Sequence, residues 1–562
     1  MPEPSLYYQP GLTLPDILYR AAKDHKALFV GYCDKSGEVQ KQTYKELLIQ
    51  ANRVATGLYN RGLHQGDKVI IATQFNRETI ELLWGCFLLG LVPTILQPPM
   101  TFTGYNPSVV KLMSVDEQLG HTQIFMSENV TDFGHFPSRK IGHMSDLDFE
   151  GSFPAPVLKP DDLAFIQFSS GSTGDPKGIM LTQQNLVANM DAIRVGLSAC
   201  FPDNIGNWMP LFHDMGLIGY HLTPIYCSIN QYHVETNDFI MNPGLWLDLI
   251  SKCRINITGC PNFGLALVLR YLHRRKTSAE WDLSCVKAML NGAEPISVRI
   301  MNEFTDLLSP FGFHPDAMMP VYGMAEATLA ISFTPLMQPS VVTAFHAEKL
   351  DRENSAYKLE PGDPNARILA AVGRALNDME IRIVDDFDMT LPEGCSGHIQ
   401  LKGPNVTIGY YNRPEETHAT FCGEWLRTGD MGFFVGSELY VCGRYKDIIF
   451  KNGRNYFAND LETISYSLEE ISYGKVCFGG ITDRDTGQEK VIAFLAGIPE
   501  TTAKNTLNNL RALLRSHFGI TVDELVLIKS NEIPKTSSGK LQRFKMMQQY
   551  INGEFDSRKI TL

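Results

Sequence analysis

Through its first 330 residues the chain alternates apolar runs of strand length with segments of helical period, and this alternation is the strongest constraint on its fold. Thr43–Arg61 puts Leu47, Leu48, Ala51, Val54 and Leu58 at helical spacing and ends at Gly62. Lys68–Ala72 then reads as a buried strand, Arg77–Leu89 as a helix and Val92–Leu96 as a strand. Ala164–Phe168 reads as a strand, and Gln183–Leu197, Trp246–Cys253, Phe263–Tyr271 and Ile296–Leu308 as helices. Repeated β-α alternation needs parallel strands whose crossovers lay helices over the sheet faces. A length of 562 residues suffices for one large α/β body plus a smaller unit.

From about Ala370 the texture changes. Short runs at Ile381–Val384, His398–Leu401 and Glu438–Val441 alternate with Gly and Asp turns, which predicts a small, mostly antiparallel unit. After Lys446 a mixed α/β pattern returns, and Thr506–Phe518 carries Leu507, Leu510, Leu513, Leu514 and Phe518 on one helical face. A boundary is expected near Arg444–Asp447.

Composition removes several function classes. With 44% hydrophobic and 20% charged residues, the chain is globular rather than disordered. A net charge of −12 argues against nucleic acid or an anionic membrane as partner, while leaving room for one local anion site. The 11 cysteines are odd in number and include no C-x-x-C pair, which points to reduced buried thiols in a cytoplasmic protein rather than disulfides or zinc. Met1-Pro2-Glu3-Pro4 does not read as a signal peptide. Leu82–Val92, the most lipid-like run, is too short for a membrane span of about 20 residues and reads as the core half of a buried helix.

The chemistry is concentrated in a few strings. Ser169-Ser170-Gly171-Ser172-Thr173-Gly174-Asp175-Pro176-Lys177-Gly178 follows a strand pattern and precedes a helical one. Its glycines let the backbone curl around an anion, its hydroxyls donate hydrogen bonds and Lys177 adds charge, which is what a polyphosphate needs. Pro176 and Gly178 stand where a Walker A loop would have Gly and Ser or Thr, so it is a different phosphate loop.

This string resembles the phosphate-binding signature of the adenylate-forming superfamily, and further signatures follow in that family's order from about residue 14 to the C-terminus. The resemblance is strongest to fatty acyl-AMP ligases, the branch that loads acyl carrier proteins. It implies an α/β body over 1–443 with a β-rich part at about 370–443, a hinge at 444–447 and a small mobile α+β lid over 448–562. Asn291-Gly292-Ala293-Glu294-Pro295 resembles the segment lining the adenine side, and Tyr322-Gly323-Met324-Ala325-Glu326-Ala327-Thr328 the next signature. There Tyr322 is expected to stack on adenine, Thr328 to contact the α-phosphate, and Glu326, with Thr173, to hold Mg²⁺. Asp430 of Thr428-Gly429-Asp430 resembles the carboxylate that accepts from both ribose hydroxyls. Gly443-Arg444-Tyr445-Lys446-Asp447 resembles the hinge signature, with Arg444 reaching the ribose and Lys446 at the pivot. Pro534-Lys535-Thr536-Ser537-Ser538-Gly539-Lys540 resembles the motif whose last lysine is catalytic. An ammonium at Lys540 would offset the repulsion between an attacking carboxylate and the α-phosphate.

Trp208–Leu217, including His213 and Asp214, resembles the segment beside the acyl pocket, and Asp214 is expected to orient local backbone. Phe263, Leu265, Ala266, Met324 and Ile331 are the apolar candidates for the pocket itself. A long stretch, Ile331–Leu369, sits where fatty acyl-AMP ligases carry an extra segment associated with disfavouring CoA. Gly453-Arg454-Asn455 also resembles that branch, whereas Ala458 stands where Pro is common. The implied activity is ATP-dependent formation of an acyl-AMP from a fatty acid, then transfer to the phosphopantetheine thiol of an acyl carrier protein. The alternatives are free CoA as acceptor, an aryl or short acid as substrate, and a non-catalytic nucleotide-binding scaffold.

Overall fold

The computed structural model describes residues 11–24, 27–99, 102, 106–130, 140–169, 176–274, 280–363, 365–451, 454–482, 489–536 and 540–560, with the backbone alone at Asn455. It is an α/β fold built on two sheets of parallel character. In the smaller, Lys68–Ala72 lies between Val92–Ile95 and Gln123–Met126, all parallel, with Ile141–Gly142 at the edge. The larger sheet has nine strands. Its centre runs Met318–Gly323, Ala288–Asn291, Ile257–Gly259, Asn204–Asn207, Asn230–Val234 and Phe29–Cys33, parallel throughout. Antiparallel strands close both ends, Val39–Thr43 on one side and Ala330–Phe333 then Arg374–Ala375 on the other.

Most predicted elements stand within a residue or two of their expected ends. Tyr44–Asn60 is a helix whose Thr43 accepts from the Glu46 amide while Glu46 reaches back to the Thr43 amide, a reciprocal cap. The long apolar run divides in two: the helix Asn76–Leu89 stops at Gly90 in the left-handed region (φ 72°), and Val92 already starts the next strand. The helix expected over Thr506–Phe518 is longer than its apolar face implied, Glu500–Phe518, because its first turn is polar and solvated. One local reading is corrected. The phosphate-loop string does not lead directly into a helix: Gly178–Thr182 forms a strand antiparallel to Leu163–Phe168, and the helix Gln183–Gly196 begins only after it. The run Ile179-Met180-Leu181 packs in that strand pair, so Gly178, the last residue of the string, begins a strand rather than a helix.

Residues 380–444 form an antiparallel sheet of Glu380–Val384, Gly397–Lys402, Trp425–Val435 and Glu438–Arg444, with the short Phe421–Cys422. Beyond it a hairpin, Ile448–Lys451 and Arg454–Phe457, precedes a four-stranded sheet of Val476–Thr482, Glu489–Ala496, Glu524–Ile528 and Lys559–Ile560. Alternate residues of those strands feed two separate cores. Phe478, Val491, Ala493 and Leu495 meet Leu507, Leu510 and Leu514, while Cys477, Ile492, Phe494 and Ala496 meet Met546 and Tyr550.

A buried polar network ties the body together. Trp84 Nε1 donates to His221 Nε2 (2.9 Å), His221 Nδ1 and His233 Nε2 both meet Gln231 Oε1 (2.8 and 2.7 Å), and Gln231 Nε2 donates to Tyr44 Oη (3.0 Å). The pattern needs a neutral His221, and burial pushes its imidazole down to about 4. The unfolded chain then binds the proton more readily than the folded one between about pH 6.5 and 4, so stability falls as pH drops through that window. Thermal unfolding scans should show this acid loss, on the order of 3 kcal/mol from His221, diminished in His221→Gln.

Candidate functional site

Strand order explains why strings far apart in sequence meet. Asn207, Gly259, Asn291 and Gly323 are the last residues of four adjacent strands in the large sheet. Each is followed at its carboxyl end by a singled-out segment: Trp208–Asp214, Cys260–Phe263, Gly292–Glu294 and Met324–Glu326. The crevice beyond the carboxyl ends of parallel strands is where open α/β sheets hold ligands. Here that crevice opens into a cavity of about 2260 Å³, larger than a typical single-ligand pocket and roomy enough for a nucleotide and a second substrate.

The nucleotide end is set by sheet register. Asp430 and Arg444 pair across Trp425–Val435 and Glu438–Arg444, so Arg444 Nε lies 3.3 Å from Asp430 Oδ1. Tyr322 donates its hydroxyl to Asp430 Oδ2 at 2.6 Å. Burial and the Asp430 carboxylate push the Tyr322 phenol far up, so it remains a donor. Ala293, Glu294, Gly323 and Met324 line the same wall. Asn291 and Gly292 sit behind it, with Asn291 Nδ2 donating to the Cys260 carbonyl at 3.0 Å.

Lys540 enters from the C-terminal part. Its backbone and Thr536 bond reciprocally, Lys540 N to Thr536 Oγ1 (3.0 Å) and Thr536 N to the Lys540 carbonyl (2.8 Å). Burial pulls its ammonium below the ordinary lysine range; Asp214, Glu294 and Asp430 oppose that, and Arg444 reinforces it. No carboxylate among the described residues is close enough to form an ion pair with it, so the charge faces the cavity. Glu294 accepts from the Phe263 amide at 2.8 Å, and burial raises its carboxyl against the pull of that amide and of Lys540. His213 Nδ1 stands 2.7 Å from Asp214 Oδ1, which also accepts from the Met215 amide at 2.7 Å, as its expected backbone-orienting part requires. Burial alone would raise the Asp214 carboxyl, but His213 and Lys540 hold it below the usual range. The following segment, Met215–Leu222, is π-helical, a form concentrated at functional sites. Gly216 is needed there because a Cβ would strike the Pro210 carbonyl.

At the phosphate end, Ser169 and Lys177 close the base of the loop: Ser169 N donates to the Lys177 carbonyl (2.9 Å) and Lys177 N to Ser169 Oγ (3.2 Å). Ser170, Gly171, Ser172, Thr173 and Gly174 lie outside the described residues. The Lys177 ammonium is 5.0 Å from the centre of the Tyr410 ring, and Tyr410 donates to Glu326 Oε1 at 3.0 Å. Tyr410, which no motif signalled, therefore links the loop to the signature carboxylate. Glu326 lines the cavity with Oε2 unbonded among the described residues, a hard oxygen donor suited to Mg²⁺ that takes its other ligands from phosphates and water. No cluster of three or more metal-ligating side chains occurs among the described residues, as that mode of binding requires none.

Two expectations meet a different geometry. Thr328 does not reach the cavity: it is fully buried at φ 66°, and its hydroxyl donates to the Asn405 carbonyl at 2.6 Å. Ala325 and Glu326 occupy the cavity wall instead. Trp208 also stays behind the wall, stacked on Phe239 at 3.8 Å and edge-on to Phe263 at 5.6 Å. Phe263, Ala266, Met324 and His213 do line the cavity, whereas Leu265 and Ile331 are core. The apolar side chains of Ile193, Leu197, Ile257, Leu290, Val321 and Phe333, none of which sequence reasoning selected, also line the cavity. Lys446 is exposed on the short turn Tyr445–Asp447 between the last strand of the antiparallel sheet and the lid hairpin.

The comparisons agree with this geometry. The chain is 30% identical over 525 residues to a putative acyl-CoA synthetase of Caulobacter vibrioides, covering 92% of this chain and 91% of the relative. It is 30% identical over 557 residues to the medium-chain-fatty-acid–[acyl-carrier-protein] ligase JamA of Moorena producens, with 92% and 91% covered. A structure from a study of fatty acyl-adenylate ligases of E. coli and L. pneumophila superposes with a TM-score of 0.89 at 28% identity, covering 98% of this chain and all of that one. The AMP-binding enzyme model matches residues 19–411. A cavity at the carboxyl ends of parallel strands, a lysine delivered to it from the C-terminal part, and a match over more than half the length together place this chain in the AMP-binding enzyme family, as an acyl-adenylate-forming ligase.

Proposed function

We propose that this protein activates a fatty acid with ATP to an acyl-AMP and passes the acyl group to the phosphopantetheine thiol of an acyl carrier protein. The observation that carries the reading is Lys540, half-buried and without an ion-pair partner among the described residues, in a cavity that also holds Asp214, Glu294, Asp430 and Arg444. The carboxylate oxygen attacks the α-phosphorus in line and pyrophosphate departs. Lys540 bridges the two anions, offsetting their repulsion and the charge that develops on the α-phosphoryl oxygens. Tyr322, Ala293, Glu294, Gly323 and Met324 receive the base, Asp430 and Arg444 the ribose, and Ser169 and Lys177 the terminal phosphates. Glu326, with Thr173, would hold Mg²⁺, which when bound neutralises phosphate charge. The apolar side chains of the cavity wall take the alkyl chain at roughly 0.8 kcal/mol per buried methylene. Thr328 is not given a direct part, since its hydroxyl proton is committed to Asn405. Body (1–443), hinge (444–447, pivoting at Lys446) and lid (448–562) then separate, withdrawing Lys540 and admitting a thiol.

A carrier thiol is favoured over CoA by the segment Ile331–Leu369. It forms the strands Val342–His346, Lys358–Leu359 and Ala366–Ala370 and the helix Ala347–Glu353, and it bonds to the lid through Glu348–Arg454 (2.7 Å) and Arg367–Asp460 (2.6 Å). JamA, by its name, is an acyl-carrier-protein ligase. Purified protein given ATP, an acid panel and either holo carrier protein or CoA should form the carrier thioester at least about tenfold faster, a difference of about 1.4 kcal/mol. Mass spectrometry of the two products decides it, and predominant acyl-CoA would overturn the acceptor assignment. An aryl or short acid giving the fastest exchange would overturn the fatty-acid assignment.

A further inference from the structure

The signatures assign a single cation, Lys177, to the terminal phosphates. The structure brings a second ammonium to that end. Lys111 lies on the helix Pro107–Gln118, outside every motif, and lines the cavity beside Phe168, Ser169 and Lys177. The helix is clamped in place by two contacts. Leu112, Val115 and Leu119 pack into one core with Ile166 and Phe168 of the strand that leads into the loop. Gln118 Nε2 donates to the Pro176 carbonyl at the loop's far end (3.1 Å) and to Ser114 Oγ (3.2 Å). Lys111, Ser114 and Gln118 are spaced i, i+3 and i+7, so one helix face runs along the base of the loop. Among the described residues the Lys111 ammonium has neither hydrogen bond nor ion pair. Burial lowers it to about 8 with no carboxylate opposing the shift. Lys111 is half-buried, and an ammonium drawn partly out of water gains from a partner of opposite charge. The partner chemistry that suits an unmatched ammonium facing this cavity, next to Lys177, is a polyanion delivered with the substrate.

We propose that Lys111 is a second phosphate-binding cation, contacting the β- and γ-phosphates of ATP and the pyrophosphate product. The inference rests on the reading of the cavity as an ATP site, and it deepens that reading by adding a residue from an unrelated helix. It predicts a trade between stability and binding. Removing the charge relieves an unmatched, half-buried ammonium in the free protein, yet removes a ligand to phosphate.

The test uses the full chain with Lys111→Met and Lys111→Arg, inorganic pyrophosphate as the calorimetric probe, and acid-dependent pyrophosphate exchange as the kinetic one. Lys111→Met is expected to melt at or above the wild-type temperature. It should weaken pyrophosphate binding about tenfold and raise KM for ATP and pyrophosphate together, with KM for the fatty acid unchanged and Lys111→Arg restoring most of the loss. Unaltered pyrophosphate affinity in Lys111→Met overturns the inference. So does a rise in KM confined to the fatty acid, or a loss that Lys111→Arg shares in full. Absence of exchange in the wild-type protein would instead overturn the ATP-site reading, while the calorimetric comparison still reports on Lys111.

Discussion

Lys540→Ala is expected to lower acid-dependent pyrophosphate exchange by about 10²–10³-fold while leaving transfer from chemically supplied acyl-AMP within a few-fold of wild type. The split follows from where the ammonium sits. It is a cavity cation delivered by the C-terminal part, half-buried and unpaired among the described residues, and on the proposed mechanism its charge is used only while carboxylate and α-phosphate are being joined. Once the mixed anhydride exists, the acceptor thiol needs a leaving group rather than that lysine. Lys540→Arg is not expected to rescue, because a planar fork cannot take the place of a compact ammonium between two anions. The same burial that readies the group also sets a pH limit: a lysine pulled below its ordinary range loses its proton earlier, so exchange should fall on the alkaline side sooner than an unperturbed lysine would allow. Exchange rates across pH for wild type and Lys540→Ala check both statements. Equal rates in the two proteins would remove Lys540 from the mechanism.

The second large effect is expected at Arg367. Its side chain is buried between Asp351 (3.3 Å) and Asp460 (2.6 Å), donates to the Cys442 carbonyl (3.1 Å) and lies 4.9 Å from the centre of the Phe457 ring. Asp460 and Phe457 belong to the C-terminal part and the remaining partners to the body, so this one guanidinium joins the two. Removing it strands two buried carboxylates, at a cost of about 3–5 kcal/mol. That cost falls on the closed arrangement, because opening lets Asp460 reach water. Arg367→Met should therefore loosen the linker bearing the already exposed Arg444 and Lys446, speeding tryptic cleavage there, and slow adenylation by about tenfold or more. The double variant Arg367→Met, Asp460→Leu should recover much of the closure. Limited proteolysis alongside exchange measures both, and an unchanged digestion rate would show that the ion pairs do not hold the lid. Burial raises both carboxyls, to about 7 for Asp351 and about 6 for Asp460, against the pull of Arg367. The closed form thus retains a proton that the open form releases. Closure should weaken as pH rises from about 4 toward 7, and Asp351→Asn should flatten that dependence.

The adenylation strings were legible because each is local. A loop of Ser, Thr and Gly ending in Lys177, a Tyr322 four residues before Glu326, and an Asp430 after a glycine are patterns that chain neighbours complete by themselves. The reading failed where a role depends on which way a side chain turns. Thr328 sits in the right string, but a left-handed backbone at that residue directs its hydroxyl to Asn405 and away from the cavity. Trp208 was placed beside the acyl chain, yet three aromatic neighbours, Phe239, Trp246 and Phe263, surround it and Phe263 alone reaches the wall. Tyr410 and Lys111 escaped notice because a lone Tyr after Gly409 and a lone Lys on an ordinary helix have no local signature.

The alternation of strand and helix periods, the change of texture near Ala370 and the order of the signatures were settled by the chain itself, since hydrophobic period and turn residues act between neighbours. What only the tertiary structure decided is convergence. Four strand ends meet because strands distant in sequence are adjacent in one sheet, Asp430 faces Arg444 through strand register, and Arg367 bridges to Asp460 across 93 positions. Such contacts arise from packing a whole sheet and docking a whole lid, and the energy that selects them is shared among many residues rather than written in any one segment.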